Sequence, residues 1–298
     1  MNKRAAAAVI GAGIFWGTIS IFIRRLSAGG LDTLQIGGLR LLFAAVLFTG
    51  FALCRDPGCL RIRPRDIWCF VGTGIVSIVV FNLLYFYTVI SSQASVAVVL
   101  LYTSPVFVML LSLIIFGERI TRPKLIALCL TDGGCVLVAG LAGGSVSVMP
   151  LTVLTGVGSG LFYALYTIFA RFALKRYRSM TVTVWTFLFA LAGVIPVGRF
   201  PETVRVLAAD PVLLLWAAGL GICNTAIPYF LYTWGLERME SGRAAILVAV
   251  EPLVGALIGV LLFREEMTLT KGLGILLIVA SVILLNLPPK SVRPPEDP

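Results

Sequence analysis

The chain of 298 residues contains no histidine. That excludes zinc sites of the HExxH type and catalytic triads built on imidazole. Charge is scarce as well: 13% of residues are Asp, Glu, Lys or Arg, against roughly 25% in soluble domains. Too little polar side chain remains to cover a water-soluble body of this length. A GxxxxGK[ST] loop is missing, so ATP does not bind by that route. The glycine-rich run Gly156-Val157-Gly158-Ser159-Gly160 lies inside an apolar segment, where a dinucleotide-binding turn is implausible. Neither a TVGYG filter nor a row of acidic side chains points to a channel. The six cysteines, Cys54, Cys59, Cys69, Cys129, Cys135 and Cys223, form no CxxC pair. Four of them sit in apolar runs, where cysteine acts as a small hydrophobe. No disulfide framework, metal or cofactor is expected.

What the chain does contain is apolar length. Hydrophobic residues make up 59%, and the mean hydropathy is +1.00. A bilayer core needs about 20 apolar residues per helix. Ten such runs can be read: 5–24, 34–53, 67–89, 95–116, 123–141, 151–173, 180–198, 212–234, 243–263 and 269–287. The third and eighth are the longest and are expected to tilt or bend. Met1 to Arg4 followed by an apolar stretch imitates a signal peptide. Because this first run has a counterpart later in the chain, it is read as part of the fold. The Pro-rich, charged tail 288–298 is expected to be disordered in the cytoplasm.

The net charge of +10 would suggest nucleic acid on a soluble chain, but no basic stripe with interleaved aromatics is present. The cations instead fill the gaps between runs. One set of alternate gaps holds 17 Lys and Arg, from Lys3 to Arg293, and the other holds 6: Arg24, Arg25, Arg199, Arg205, Arg264 and Lys271. Positive charge stays on the cytoplasmic side, so both termini are expected there.

Shifting the sequence by 147 residues lays one half on the other without gaps. Gly11 falls on Gly158, Gly13 on Gly160, Arg24 on Arg171, Gly72 on Gly219, Gly74 on Gly221 and Tyr85 on Tyr232. Further on, Pro105 falls on Pro252, Glu118 on Glu265, Thr121 on Thr268 and Lys124 on Lys271. Shared Leu or Val would mean little here; shared Gly, Pro, Glu and Lys mean more. The expected units are 1–147 and 148–287, each of five helices. Five is odd, so the second unit enters the membrane from the opposite side. Inverted repeats of this kind recur in secondary transporters, with the substrate near the midplane between them.

Two five-helix units, each with Pro in its fourth helix and Glu at that helix's end, resemble the drug/metabolite transporter superfamily, in its EamA-type branch. The matching stretches run from Ser104-Pro105 to Phe116-Gly117-Glu118 and from Glu251-Pro252 to Phe263-Arg264-Glu265. Arg40 in the second run also fits; Arg264, standing where Gly is common, departs. The resemblance implies an all-α membrane protein of ten transmembrane helices that carries small metabolites. It places the cavity among helices 1, 3, 4, 6, 8 and 9.

Several residues are candidates for that cavity. Pro105 and Pro252 remove an amide hydrogen and release the carbonyls of Leu101 and Val248; either substrate or mere kinking accounts for them. Glu251 lies about 12 Å along its helix from Arg243, near the middle of a ~30 Å core, where a carboxylate is costly and functional by default. It would carry a proton, bind a substrate ammonium, or pair structurally with Arg40. Arg40 is read equally as an ion-pair partner and a substrate contact. Asp132 is read as a packed residue away from the cavity. Trp16 and Tyr163 correspond in the two halves, as do Asn82 and Tyr229. Residues three apart share a helix face, so Asn82 with Tyr85 and Tyr229 with Tyr232 form two walls, and Tyr102 precedes Pro105 by one turn. An aromatic belt at the membrane interface is the competing reading.

The expectation is a secondary transporter of the plasma or inner membrane. It would export an amino acid or similar amphipathic metabolite by alternating access, driven by protons or by the substrate gradient. The alternative is a membrane-embedded enzyme acting on a lipid or isoprenoid, for which the midplane offers only Glu251 and Asp132 as acids.

Overall fold

The computed structural model describes residues 2–92, 94–140 and 149–286. The junction 147/148 and the tail 288–298 fall outside them. Every regular element among the described residues is helical. Eight helices are long and apolar enough to cross a bilayer: α1 (Lys3–Ala28), α2 (Thr33–Arg55), α3 (Pro64–Ser91), α4 (Ser95–Phe116), α6 (Pro150–Leu174), α8 (Pro211–Leu236), α9 (Ser241–Phe263) and α10 (Leu269–Asn286). Two shorter helices, α5 (Arg122–Val138) and α7 (Ser179–Val194), complete the bundle. The run expected over 180–198 stops short because the chain turns back at Gly198 and Arg199 adopts a left-handed conformation with φ 49°. A short amphipathic helix, Phe200–Ala209, follows. It was not expected, since its ten residues are too few and too polar to register as a span.

The exterior is apolar in the way a lipid-facing surface must be. Ile90, Ile114, Leu215 and Leu261 are each more than 70% exposed. Polar side chains turn inward and bond across helices: Thr73 to Thr186 at 2.6 Å, Thr131 to Ser281 at 2.7 Å, Tyr166 to Thr233 at 2.7 Å. Within a bilayer this arrangement holds helices together where the hydrophobic effect cannot.

Contacts between the halves recur at the offset of 147. Gly72 packs on the ring of Phe169, and Gly219 on that of Phe22. Gly11 meets Leu231, and Gly158 meets Leu84. Both α3 and α8 widen into a π-helical stretch, at Gly72–Val79 and Ile222–Ala226. From these stretches Ser77 donates to the carbonyl of Phe162 at 2.6 Å, and Asn224 donates to that of Phe15. Asn224 also reaches the Thr18 hydroxyl at 2.8 Å, where α1 is interrupted. Ser77→Ala removes one such tie and is expected to cost about 1 kcal/mol, read as a lower unfolding midpoint in detergent.

The two proline helices are broken where the carbonyls are released: α4 at Tyr102–Thr103 and α9 at Val248–Ala249. Both Leu101 and Val248 line the central cavity, and their carbonyls also lie against glycines of the other half. A Cβ on Gly13 would meet the Val248 carbonyl oxygen at 2.5 Å, and a Cβ on Gly160 would meet that of Leu101 at 3.1 Å. Glu251 also donates its amide to the Val248 carbonyl, at 3.1 Å. The glycine faces of α1 and α6 thus approach the released carbonyls closely. This gives Gly13 and Gly160 a specific task, since only glycine permits so close a backbone approach.

Candidate functional site

Around the α4 and α9 breaks the helices separate and leave a cavity of about 140 Å³. Its walls come from both halves. Trp16 of α1 and Tyr163 of α6 line it. So do Asn82 and Tyr85 of α3, Tyr102 and Pro105 of α4, Tyr229 of α8 and Glu251 of α9, with Arg40 of α2. Asn82 has its amide nitrogen committed to the Ile78 carbonyl at 2.6 Å, so it presents mainly its oxygen. Two expected residues are elsewhere. Pro252 is buried at the break and does not line the cavity. Tyr232 lies beneath it, with its hydroxyl bonded to Thr167 at 2.7 Å. Spacing gave the right face for Tyr232 but not its depth, and the cavity floor falls between Tyr229 and Tyr232.

That floor is aromatic. Trp16 meets Tyr229 edge-on with centroids 5.0 Å apart, Tyr166 meets Tyr229 at 5.2 Å, and Phe187 meets Tyr229 at 5.1 Å. Phe48 stacks on Phe187 at 5.5 Å. Tyr166, Phe187 and Phe48 were not anticipated; their ring-to-ring contacts span sequence-distant helices. The layer lies on the side of the cavity nearer the end of the bundle rich in Arg and Lys. On the other side Ile19, Ile23 and Phe86 form the lining toward the opposite end.

The charged groups decide what this cavity can hold. Glu251 lies deep in the bundle but keeps part of its surface open to the cavity. Its polar neighbours are the Tyr102 hydroxyl and, through space, the Arg40 guanidinium. Arg40 is only partly buried, yet its Nε has no hydrogen-bond partner among the described residues. Among the described residues no ion pair joins the two, although both face the same cavity. An acid and a base on different walls of one mostly apolar cavity can take a molecule bearing both charges, with apolar bulk against the rings. Asp132 does not line the cavity, and its Oδ1 has no hydrogen-bond partner among the described residues.

Glu118 and Glu265 sit in charge clusters at opposite ends of the bundle, and neither lines the cavity. Glu118 accepts from the amides of Ser241 and Gly242 at 2.9 and 3.3 Å, and Arg171 lies 4.0 Å away. Glu265 pairs with Arg24 at 3.0 Å and Lys271 at 3.3 Å. All six cysteines are free.

A lipid-faced helical bundle around a central cavity that holds a carboxylate and a guanidinium has the layout of a multi-pass membrane transporter. Residues 3–140 and again 150–287 match the EamA-like transporter family, and the chain belongs to that family. An uncharacterized transporter of Archaeoglobus fulgidus is 32% identical over 93% of this chain and 94% of its own. The uncharacterized inner membrane transporter YicL of Salmonella typhimurium is 27% identical over 96% of each chain. A solved crystal structure superposes with a TM-score of 0.78 at 17% identity, covering 96% of this chain and 97% of that one; that likeness concerns the fold alone. The protein is a transporter rather than an enzyme, which removes the lipid-modifying alternative.

Proposed function

We propose that this protein exports a small zwitterionic or amphipathic metabolite, of the amino acid type, across the plasma membrane by alternating access. In this reading α1–α5 and α6–α10 are two five-helix units of opposite orientation, with ten crossings and both termini in the cytoplasm. The end rich in Arg and Lys is then the cytoplasmic end. The observation that carries the reading is the open pair Arg40 and Glu251 in a cavity walled by both halves. The contacts repeated at an offset of 147, such as Gly72 on Phe169 and Gly219 on Phe22, support the symmetry that alternating access uses. Rocking of one unit against the other would carry the cavity from one side to the other. A proton on Glu251, or the substrate gradient itself, would supply the drive.

The test is counterflow in proteoliposomes with labelled amino acids. At least one amino acid with an aromatic or aliphatic side chain is expected to accumulate when the vesicle interior is preloaded with it. The same compound stripped of its amino or its carboxyl group should exchange at least about tenfold more slowly, the loss of one charged hydrogen bond. No counterflow with any amino acid, beside efficient counterflow of an uncharged compound, would reject the assignment. Antibody access to epitope tags at the two termini, in intact cells and in lysed ones, checks the topology.

A further inference from the structure

Two short basic runs, one from each half, meet at the Arg- and Lys-rich end of the bundle. They are Arg61-Ile62-Arg63-Pro64-Arg65, before α3, and Lys175-Arg176-Tyr177-Arg178, after α6. Arg61 and Arg63 have extended backbone, so their side chains leave the same edge of the chain. Ile62 between them packs on the core, and Pro64 opens the turn that starts α3. Two adjoining clefts lie between the runs. One is lined by Arg61, Ile62, Arg63, Arg176 and Tyr177. The other takes in Arg65, Asp66, Trp68, Phe172 and Lys175, and shares Arg176 and Tyr177 with the first. Asp66 is the one acid in either lining, and it is committed: it accepts from Arg176 at 2.7 Å and from the Tyr177 hydroxyl at 2.7 Å. Arg61, Arg63 and Arg65 are exposed, and their side chains form no hydrogen bond or ion pair among the described residues. Lys175 lies over the rings of Phe116 and Phe172, 5.1 Å from each centroid. The clefts thus gather cations for which no carboxylate is left.

Beside these cations the surface turns aromatic. Trp68 is 49% exposed, although it meets Phe172 edge-on at 5.3 Å and Phe169 at 6.1 Å. Phe116 meets Phe172 in turn, at 5.0 Å. Trp68 stands where α3 begins its apolar run, the depth at which tryptophan marks a membrane interface. Fixing orientation requires only that cations lie on one side; it calls for neither clefts nor guanidiniums converging without partners. A cleft cationic at its rim and aromatic on its bilayer side complements a phospholipid, with phosphate on the cations and acyl chains along the rings. A dissolved phosphate would use the cations and leave Trp68 idle.

We propose that the two clefts bind the headgroup of an anionic phospholipid, with Arg61, Arg63, Arg65 and Lys175 around its phosphate and Trp68 against its acyl chains. The arginines belong to the first half and Lys175 to the second, so the bound lipid ties one half to the other at this end. That the lipid comes from the inner leaflet rests on the topology proposed above; the binding itself does not.

The test titrates the full chain in detergent micelles with phosphatidylglycerol or with phosphatidylcholine and counts bound lipid by native mass spectrometry. One phosphatidylglycerol is expected to bind at least about tenfold more tightly than phosphatidylcholine. Arg61→Gln together with Arg65→Gln should weaken that binding by about tenfold or more, since each cation beside an anionic headgroup is worth about a factor of five. Arg61→Lys together with Arg65→Lys keeps the charge and should keep most of the affinity. Arg119→Gln together with Arg122→Gln removes the same charge from the same end but outside the clefts, and should leave binding nearly unchanged. Equal weakening in the two glutamine pairs would reduce the effect to the general charge of that end and overturn the site. Equal binding of the two lipids would overturn it as well. Displacement of the lipid by equimolar inorganic phosphate, or full affinity in Trp68→Ala, would assign the clefts to a soluble anion and overturn the lipid. All of these are read as binding in the micelle, so a failure of counterflow leaves them standing. Epitope tags that placed both termini outside would move the lipid to the other leaflet without touching the site.

Discussion

Glu251→Gln is expected to abolish transport while leaving insertion and folding intact. Glutamine has the shape of the carboxylate and can still meet the Tyr102 hydroxyl that neighbours it. It therefore removes charge without opening a void. What it cannot do is hold a substrate ammonium or pick up a proton. Removing one side of a desolvated charge contact costs about 2–5 kcal/mol, so flux should fall by about a hundredfold. Amount in the membrane and unfolding midpoint should match the unsubstituted protein. The pH profile separates the two roles of the carboxylate. If Glu251 carries the coupling proton, exchange of substrate down its own gradient survives in the variant while uphill transport does not. If it holds the substrate, both fail together. Undiminished flux across the pH range would remove Glu251 from the mechanism. Arg40→Gln should impair the same compounds, and should do so least for substrates lacking a carboxylate.

Much of the architecture was legible because a bilayer allows so few solutions. Backbone groups must be satisfied within each segment, so apolar length reads directly as helix. The residues that stood out at the offset of 147 are those with jobs no other residue can do. Gly72 and Gly219 are glycine because an aromatic ring lies against each, and Gly13 and Gly160 because a carbonyl does. Function at matched positions was invisible where the chemistry was matched by different residues. Ser77 and Asn224 both reach a carbonyl on the first helix of the other half, yet serine and asparagine do not align as identities. Long-range pairing was equally hidden. Nothing local says that Glu118 should bond the start of α9 rather than the adjacent Arg119. The cavity was half legible. Helical spacing grouped Asn82 with Tyr85 and Tyr229 with Tyr232, but where the floor cuts across a face depends on rings from α2, α6 and α7. Proline spacing located the two breaks, yet it could not tell that glycines of the other half's first helix would lie against the freed carbonyls.

Those glycine faces carry the second large expectation. Gly13→Ala should cripple transport although Gly13 does not line the cavity. The added Cβ would stand 2.5 Å from both the Val248 carbonyl oxygen and a methyl of Val250. Backbone cannot rotate aside as a side chain can, so α9 must move away from α1. One turn further along, a Cβ on Gly17 would stand 2.7 Å from the Glu251 carbonyl oxygen, and thus the same face sets the position of the cavity's acid. Overpacking of this kind costs about 1–3 kcal/mol. Transport should fall about tenfold or more, since a closed state that needs the two helices in contact loses at least that free energy. Gly50→Ala is the control: nothing lies within 4 Å of a Cβ there, so the same methyl on another membrane helix should leave flux and stability unchanged. Gly160→Ala extends the test to the other half, where its Cβ would crowd the Leu101 carbonyl at 3.1 Å and the Thr103 hydroxyl. If these helix faces work as a pair, both alanine variants lose transport while Gly50→Ala does not. Full flux in Gly13→Ala would mean that α1 and α9 need not stay in contact at any stage of the cycle, and the position of Glu251 would then have to be held by α4 and α8 instead.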